Sequence, residues 1–179
     1  IKPFHLKDND GKTPLFLASE IGHADTIELI LVHDVHSVNQ PDAKGNTPLL
    51  IAAQNAHLNV VNKLIQKYDN NNHIICDVNH VNEDGESIAY ICAQEGNIEI
   101  LQMLLSITDK DNEIIIDLNK SDHDGRFPLL LTVSNDDVEM TKLLLRFANN
   151  NRKNNLDLRK EVPFFGGTVL HIAALDNHL

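Results

Sequence analysis

One short motif occurs five times in this chain of 179 residues and constrains its fold more than any other feature. Each copy has a polar turn with glycine, then an anchor residue, then aliphatic residues. The anchors are spaced 34, 40, 40 and 41 residues apart and are Thr13, Thr47, Ser87, Phe127 and Thr168. Self-similarity at such periods indicates stacked supersecondary units rather than one globular core.

Positions outside the motif share the same register. Five residues after each anchor comes a small residue: Ala18, Ala52, Cys92, Thr132 and Ala173. Seventeen and eighteen residues after the first four anchors come aliphatic pairs: Ile30-Leu31, Leu64-Ile65, Leu104-Leu105 and Leu144-Leu145. Eight residues before the second, third and fourth anchors come Asn39, Asn79 and Asn119. The repeat is therefore a property of the whole chain.

Each repeated position has a local physical role. Glycine two residues before the anchor suits a turn with positive φ, and Thr or Ser at the anchor is a typical helix N-cap. Proline next to it occupies the first helical position, where its missing N–H is harmless. Leu15, Leu17 and Ala18 are expected to lie on one side of the first helix. The helical spacing of Ile27 and Ile30 predicts a second helix, so the repeat unit is turn, helix, loop, helix.

These motifs resemble the ankyrin repeat, whose pattern combines D-x-x-G-x-T-P-L-H, a small-residue pair, G-H and a terminal Leu-Leu. The resemblance implies an all-α solenoid of stacked helix-turn-helix units joined by hairpin-like fingers, over one domain of residues 1–179. The repeats are expected roughly at 8–41, 42–81, 82–121 and 122–162, with a partial repeat at 163–179. Because the fifth repeat stops before its second helix, we expect the chain to be a segment of a longer protein.

The longer spacings begin at the second repeat and come from six extra residues that follow the second helices of the second, third and fourth repeats. We expect these insertions to extend the second helix, to break at an Asn or Asp loop and to re-enter through aliphatic residues. Part of the 21 asparagines in the chain falls in them.

Charge and composition exclude several classes of partner. The formal net charge of −11 disfavours nucleic acid and anionic lipid surfaces. Apolar runs are too short to span a membrane. Only two cysteines are present, which favours a reducing, cytoplasmic compartment. Cys92 falls at a packed small-residue position, whereas Cys76 falls in an insertion, where partial exposure is expected.

No catalytic, metal or cofactor site is predicted. His33 and His36 with Asp34 come closest to a ligand set, but zinc sites need three or four converging ligands, so surface histidines are the simpler interpretation. His23, His57 and His178 fall at the Gly-His position of the family, where a structural hydrogen bond is usual. Asn39 is either a structural residue of the hairpin or, by resemblance, a substrate of an asparaginyl hydroxylase.

The resemblance implies that a partner protein meets the finger tips and the exposed side of the first helices. The register assigns to this surface Lys44, Asn46, Gln54, Glu83, Asp84, Glu86, Gln94, Glu95, His123, Arg126, Phe164 and Phe165. The acidic residues of the third repeat favour a partner with a basic face. Phe164 and Phe165 are binding hot spots, or they pack either on a further repeat or on the insertion before them.

Two functions follow from the resemblance. The first is a non-catalytic, monomeric protein-binding module. The second is a recognition or regulatory segment of a larger enzyme or effector whose catalytic domain lies elsewhere. The asparagine content favours an organism with an AT-rich genome, and with it a bacterial effector acting in a host cytoplasm.

Overall fold

The structure is a computed structural model that describes residues 6–66, 74–108, 115–148, 156–162 and 166–175. In these residues the chain forms nine α helices and no β strand. The all-α fold class expected from the repeat is confirmed. The chain divides into two compact units, Ile1–Glu83 and Asp84–Leu179, called here the first and second unit. The single domain and its repeat boundaries stay predictions.

The first unit contains two helix pairs. Helices α1 (Pro14–Glu20) and α2 (Ala24–His33) form the first pair, followed by a short 3-10 helix, Val35–Asn39. Helices α3 (Pro48–Gln54) and α4 (Leu58–Ile65) form the second pair. Helix α1 packs against α2 and α3, and α4 packs against α2 and α3. The apolar faces of the four helices thereby cover one another.

The second unit repeats this arrangement and adds a fifth helix. Its elements are α5 (Ile88–Glu95), α6 (Ile98–Leu105), α7 (Pro128–Ser134), α8 (Val138–Ala148) and α9 (Val169–Leu175). Helix α7 lies between α5 and α9, while α6 and α8 pack against α5 and α7 respectively and against each other. The buried core of this second unit is mainly aliphatic and contains two aromatic side chains, Tyr90 and Phe127, which are fully or almost fully buried.

Three first helices begin at the predicted N-caps. The side-chain oxygens of Thr13, Thr47 and Ser87 accept the backbone N–H three residues later at 3.1, 3.3 and 3.2 Å. Phe127 has no oxygen to offer, and α7 begins without a side-chain cap. The predicted helix starts are confirmed, and their cause is local capping chemistry.

Two details of the expected repeat are wrong. Leu17 is 40% exposed, while Phe16, at the position between Leu15 and Leu17, is buried, so the core-facing side of α1 is turned toward Phe16. Helices α4 and α6 end at their aliphatic pairs, at Ile65 and Leu105, without the expected extension. Only α8 continues beyond its pair, to Ala148.

Candidate protein-binding surface

An aspartate five residues before the anchor organises the fingers of the first, second and fourth repeats, a finger being the turn that precedes a first helix. In the finger at residues 42–46, Asp42 Oδ1 accepts the backbone N–H of Lys44 at 2.9 Å and of Asn46 at 2.8 Å. Asp8 and Asp122 make the same pair of bonds in their own fingers. These three fingers therefore have a fixed backbone before any neighbour is considered.

Backbone hydrogen bonds join neighbouring finger tips within each unit. In the first unit, the N–H of Ala43 donates to the carbonyl of Asp10 at 2.9 Å, and that of Glu83 donates to Lys44 at 3.0 Å. In the second unit, the N–H of His123 donates to the carbonyl of Asp84 at 3.1 Å. The tips are thus held in register within each unit by main-chain bonds, which use none of the tip side chains.

Glycine makes this close approach possible. Gly45 has φ +78°, and a Cβ at this position would lie 2.8 Å from the backbone nitrogen of Glu83. From the sequence, the positive φ of the turn is the one reason for a glycine at this position. The contact with the next finger is a second requirement that sequence reasoning missed.

The predicted contact residues of the first unit differ in accessibility. Lys44, Gln54 and Glu83 are exposed. Asn46 is half-buried, and its Oδ1 accepts a hydrogen bond from Asn82 Nδ2 at 3.1 Å. The first three fit a contact surface, whereas Asn46 is partly committed to the fold.

Most predicted contact residues of the second unit are exposed. Asp84, Gln94, Glu95 and His123 reach solvent, and Glu86 is half-buried. Gln94 Nε2 donates to Glu95 Oε1 at 3.3 Å at the end of α5. The second unit therefore presents acidic groups on the turn before α5 and at the end of this helix.

Arg126 is half-exposed, and it belongs to a network with two buried side chains that sequence reasoning did not find. Its Nε donates to Asp122 Oδ2 at 2.7 Å, and its Nη2 lies 3.1 Å from Asp124 Oδ2. The hydroxyl of buried Tyr90 donates to the same Asp122 oxygen at 2.8 Å. The positive charge of Arg126 is thereby matched by two carboxylates.

The network shifts the titration of its members. Burial by itself would raise the pKa of Asp122, but hydrogen bonds from the Tyr90 hydroxyl and from the backbone and side chain of Arg126 outweigh it, and the pKa lies below its ordinary value. Burial, followed by the bond to Asp122, raises the pKa of Tyr90. Asp122 is therefore a carboxylate at neutral pH.

The family model for ankyrin repeats, in three copies, matches residues 2–75 and 69–154. The chain belongs to the ankyrin-repeat family. Ankyrin repeats are generally protein–protein interaction modules and are typically non-catalytic. No curated protein matches the chain.

The ankyrin hairpin asparagines connect successive repeats. Asn39 Nδ2 donates to the carbonyl of Ile75, and Asn39 Oδ1 accepts the N–H of Asp77, both at 2.8 Å. Asn119 Oδ1 accepts the N–H of Asp157 at 2.9 Å in the second unit. The amide thus fastens the chain that enters the next finger, which supports a structural role for Asn39 over modification.

Histidines of the ankyrin frame also make structural contacts. His57 Nε2 lies 3.1 Å from the carbonyl oxygen of Glu20, as expected for the Gly-His position. In the fifth repeat, Thr168 Oγ1 and His171 Nδ1 are 3.0 Å apart. His33 and His36 are exposed, and Asp34 Oδ1 accepts the N–H of His36. Within the described ranges, no three metal-binding side chains come together.

Both thiols are inaccessible. Cys92 is buried as expected, but Cys76 is also buried at 4% exposure, so the expectation of a partly exposed thiol is wrong. Burial raises the pKa of both thiols to about 12, with a further contribution from Asp77 at Cys76. Phe164 and Phe165 lie outside the described residues, and their role stays a prediction.

None of the helices in the described part of the chain has the length and apolar content that crossing a membrane requires.

Proposed function

We propose that this ankyrin chain is a non-catalytic module that binds a partner protein through its finger tips and the exposed side of its first helices. One observation carries the proposal: neighbouring finger tips are joined main chain to main chain, while Lys44, Glu83, Asp84 and His123 at these tips remain exposed. Within each unit, finger tips held in this way lose little conformational entropy when their side chains meet a partner.

Charge selects the class of partner. In the second unit, Glu95 is exposed at the end of α5, and the carboxylates of Asp84 and Glu86 belong to the turn before this helix. The guanidinium of Arg126 is matched by Asp122 and Asp124, so it does not cancel this acidic excess. The proposed partner therefore carries lysine or arginine on the face that meets α5, and association should be faster at low salt.

Proximity labelling with the intact chain would identify the partner, and a matched pair of variants would test the surface. Glu95→Lys reverses an exposed charge on a first helix, whereas Glu99→Lys makes the same change on the second helix that follows it. We expect Glu95→Lys to weaken binding about tenfold and Glu99→Lys to change it less than about twofold. Equal effects of the two variants, or association that does not depend on salt, would contradict the proposal.

We also infer a reducing cytoplasm, because both cysteines are buried, unpaired thiols. The buried thiols also exclude a disulfide-linked dimer, and we propose that the chain is a monomer. Light scattering and mass spectrometry of the intact chain would check the oligomeric state and the thiols. The same surface would serve a recognition segment of a larger enzyme or a translocated effector. A catalytic motif elsewhere in the natural polypeptide would favour that role.

A further inference from the structure

An exposed residue stands at the C-terminal end of each first helix, eight residues after its anchor. In the first four repeats this residue is Ile21, Asn55, Glu95 or Asn135, and all four are exposed. Three of them are polar, whereas Ile21 has an aliphatic side chain and is 57% exposed. Of these four repeats, the first is therefore the one that presents an apolar group at this position.

The exposure of this position does not depend on what flanks the helix. Helix α7 packs against a first helix on each side, α5 and α9, and Asn135 at its end is still exposed. A helix packed against the other side of α1 would therefore leave Ile21 exposed as well. The accessibility of Ile21 follows from the geometry of the repeat.

The charged side chains beside Ile21 are bound to each other. Lys12 and Glu20 stand at the same repeat positions as Asn46 and Gln54 of the predicted contact surface. Lys12 Nζ donates to both carboxylate oxygens of Glu20, at 2.8 and 3.0 Å. The pair joins the first finger to the end of α1 and sums to zero charge. In the first repeat, two polar contact positions are thus committed to an internal ion pair.

The second repeat adds neutral groups beside Ile21. Asn55 Nδ2 donates to the carbonyl of Glu20 at 3.0 Å, which places this amide next to the end of α1. Gln54, the residue before it, is exposed and uncharged. A charged partner group at Ile21 would lose water without gaining an opposite charge, whereas an apolar group would lose no hydrogen bond. The surroundings of Ile21 therefore favour an apolar partner side chain.

We propose that Ile21 is the residue through which the first repeat recognises an apolar side chain of the partner protein: leucine, isoleucine, methionine or phenylalanine. The inference rests on the proposed function and deepens it, because it assigns to the first unit a contact of different chemistry from the acidic contact of the second unit. The partner then carries an apolar residue as well as lysine or arginine.

A library of random peptides displayed on phage is the probe. It would be depleted on the Ile21→Asn chain and then selected on the unsubstituted chain. Asparagine stands at this position in the second and fourth repeats, so the variant should fold, which circular dichroism would verify. We expect enriched peptides that share an apolar residue. Depletion on Val32→Asn, a change at a residue of α2 that is 70% exposed, should be followed by no such enrichment.

A synthetic peptide from the selection would then measure the contact by fluorescence polarisation. Ile21→Asn should weaken its binding about tenfold, because the exposed part of an aliphatic side chain is no longer buried by the peptide. Ile21→Leu and Val32→Asn should change binding less than about twofold. Alanine in place of the apolar residue of the peptide should weaken binding to the unsubstituted chain and have little further effect on Ile21→Asn.

The inference is overturned if depletion on Ile21→Asn leaves no peptide to enrich, if the enriched peptides share no apolar residue, or if the substitutions in chain and peptide are additive. The proposed acidic contact has its own readout in the partner protein. Weaker binding on Glu95→Lys but not on Ile21→Asn would refute the apolar contact and keep the acidic one. Weaker binding on Ile21→Asn but not on Glu95→Lys would keep the apolar contact and refute the acidic one.

Discussion

The bond between Tyr90 and Asp122 provides a sharp test of the buried network. Tyr90→Phe removes one hydroxyl and keeps the ring, which is fully buried. Asp122 Oδ2 then loses the Tyr90 donor at 2.8 Å but retains Arg126 Nε at 2.7 Å. The substitution therefore measures one charge-assisted hydrogen bond with little change in packing.

The expected magnitude follows from the charge of the acceptor. Hydrogen bonds to charged groups contribute roughly 1.5–3 kcal/mol, and the remaining Arg126 donor places this bond at the lower end. We expect Tyr90→Phe to lower the free energy of unfolding by about 1.5 kcal/mol at neutral pH. With urea slopes of about 1–3 kcal/mol per molar, the unfolding midpoint would fall by roughly 0.5–1.5 M.

Acidification should shrink this difference. The pKa of Asp122 in the folded chain lies below its ordinary value, so its contribution to stability is fully present above the unfolded pKa, about 3.9, and is lost as pH falls through the folded pKa. In the Tyr90→Phe variant, the ionised Asp122 contributes less to the free energy of unfolding, because the pKa of Asp122 moves back toward its ordinary value. The two stability curves should therefore converge in acid.

Urea unfolding of both proteins, followed by far-UV circular dichroism at about pH 7 and about pH 3, would measure the effect. Asp122→Asn supplies the second member of a double-mutant cycle, and the two substitutions should not add. A loss below about 0.3 kcal/mol at neutral pH, or an equal loss at both pH values, would refute the role assigned to the network.

Three further substitutions or treatments probe other contacts. Asn39→Ala removes both bonds to the backbone at residues 75 and 77 and should destabilise the first unit by about 1–3 kcal/mol in urea, whereas Asn59→Ala, at an exposed residue of α4, should cost less than about 0.5 kcal/mol. Gly45→Ala should lower the free energy of unfolding by at least about 1 kcal/mol more than Gly96→Ala, because both glycines have positive φ but, of these two, Gly45 lies against a neighbouring backbone. Equal losses in the same assay would contradict the close approach. A thiol reagent at about pH 8 should label Cys76 and Cys92 only after unfolding, and mass spectrometry showing fast labelling of the folded chain would disprove their burial.

Features that depend on neighbouring residues could be predicted from the sequence. The starts of α1, α3 and α5 follow from an N-cap oxygen at Thr13, Thr47 and Ser87, and each cap bond spans three residues. The contact between Tyr90 and Asp122 spans 32 residues and depends on how one repeat stacks on the next. Cys76 lies between Ile75 and Asp77, which Asn39 holds across 36 and 38 residues. Its position in an insertion therefore did not predict its burial.

The aspartate of the finger explains why register alone does not separate binding residues from structural ones. In the second repeat, Asp42 uses one oxygen for the turn, and Lys44 beside it stays exposed. In the fourth repeat, Asp122 uses Oδ1 in the same way but engages Tyr90 and Arg126 through Oδ2. Lys44 and Arg126 are both exposed in the expected contact surface, yet a change at Arg126 would also remove a hydrogen bond from a buried carboxylate. Substitutions at Lys44 therefore test recognition alone, whereas substitutions at Arg126 test recognition and the frame together.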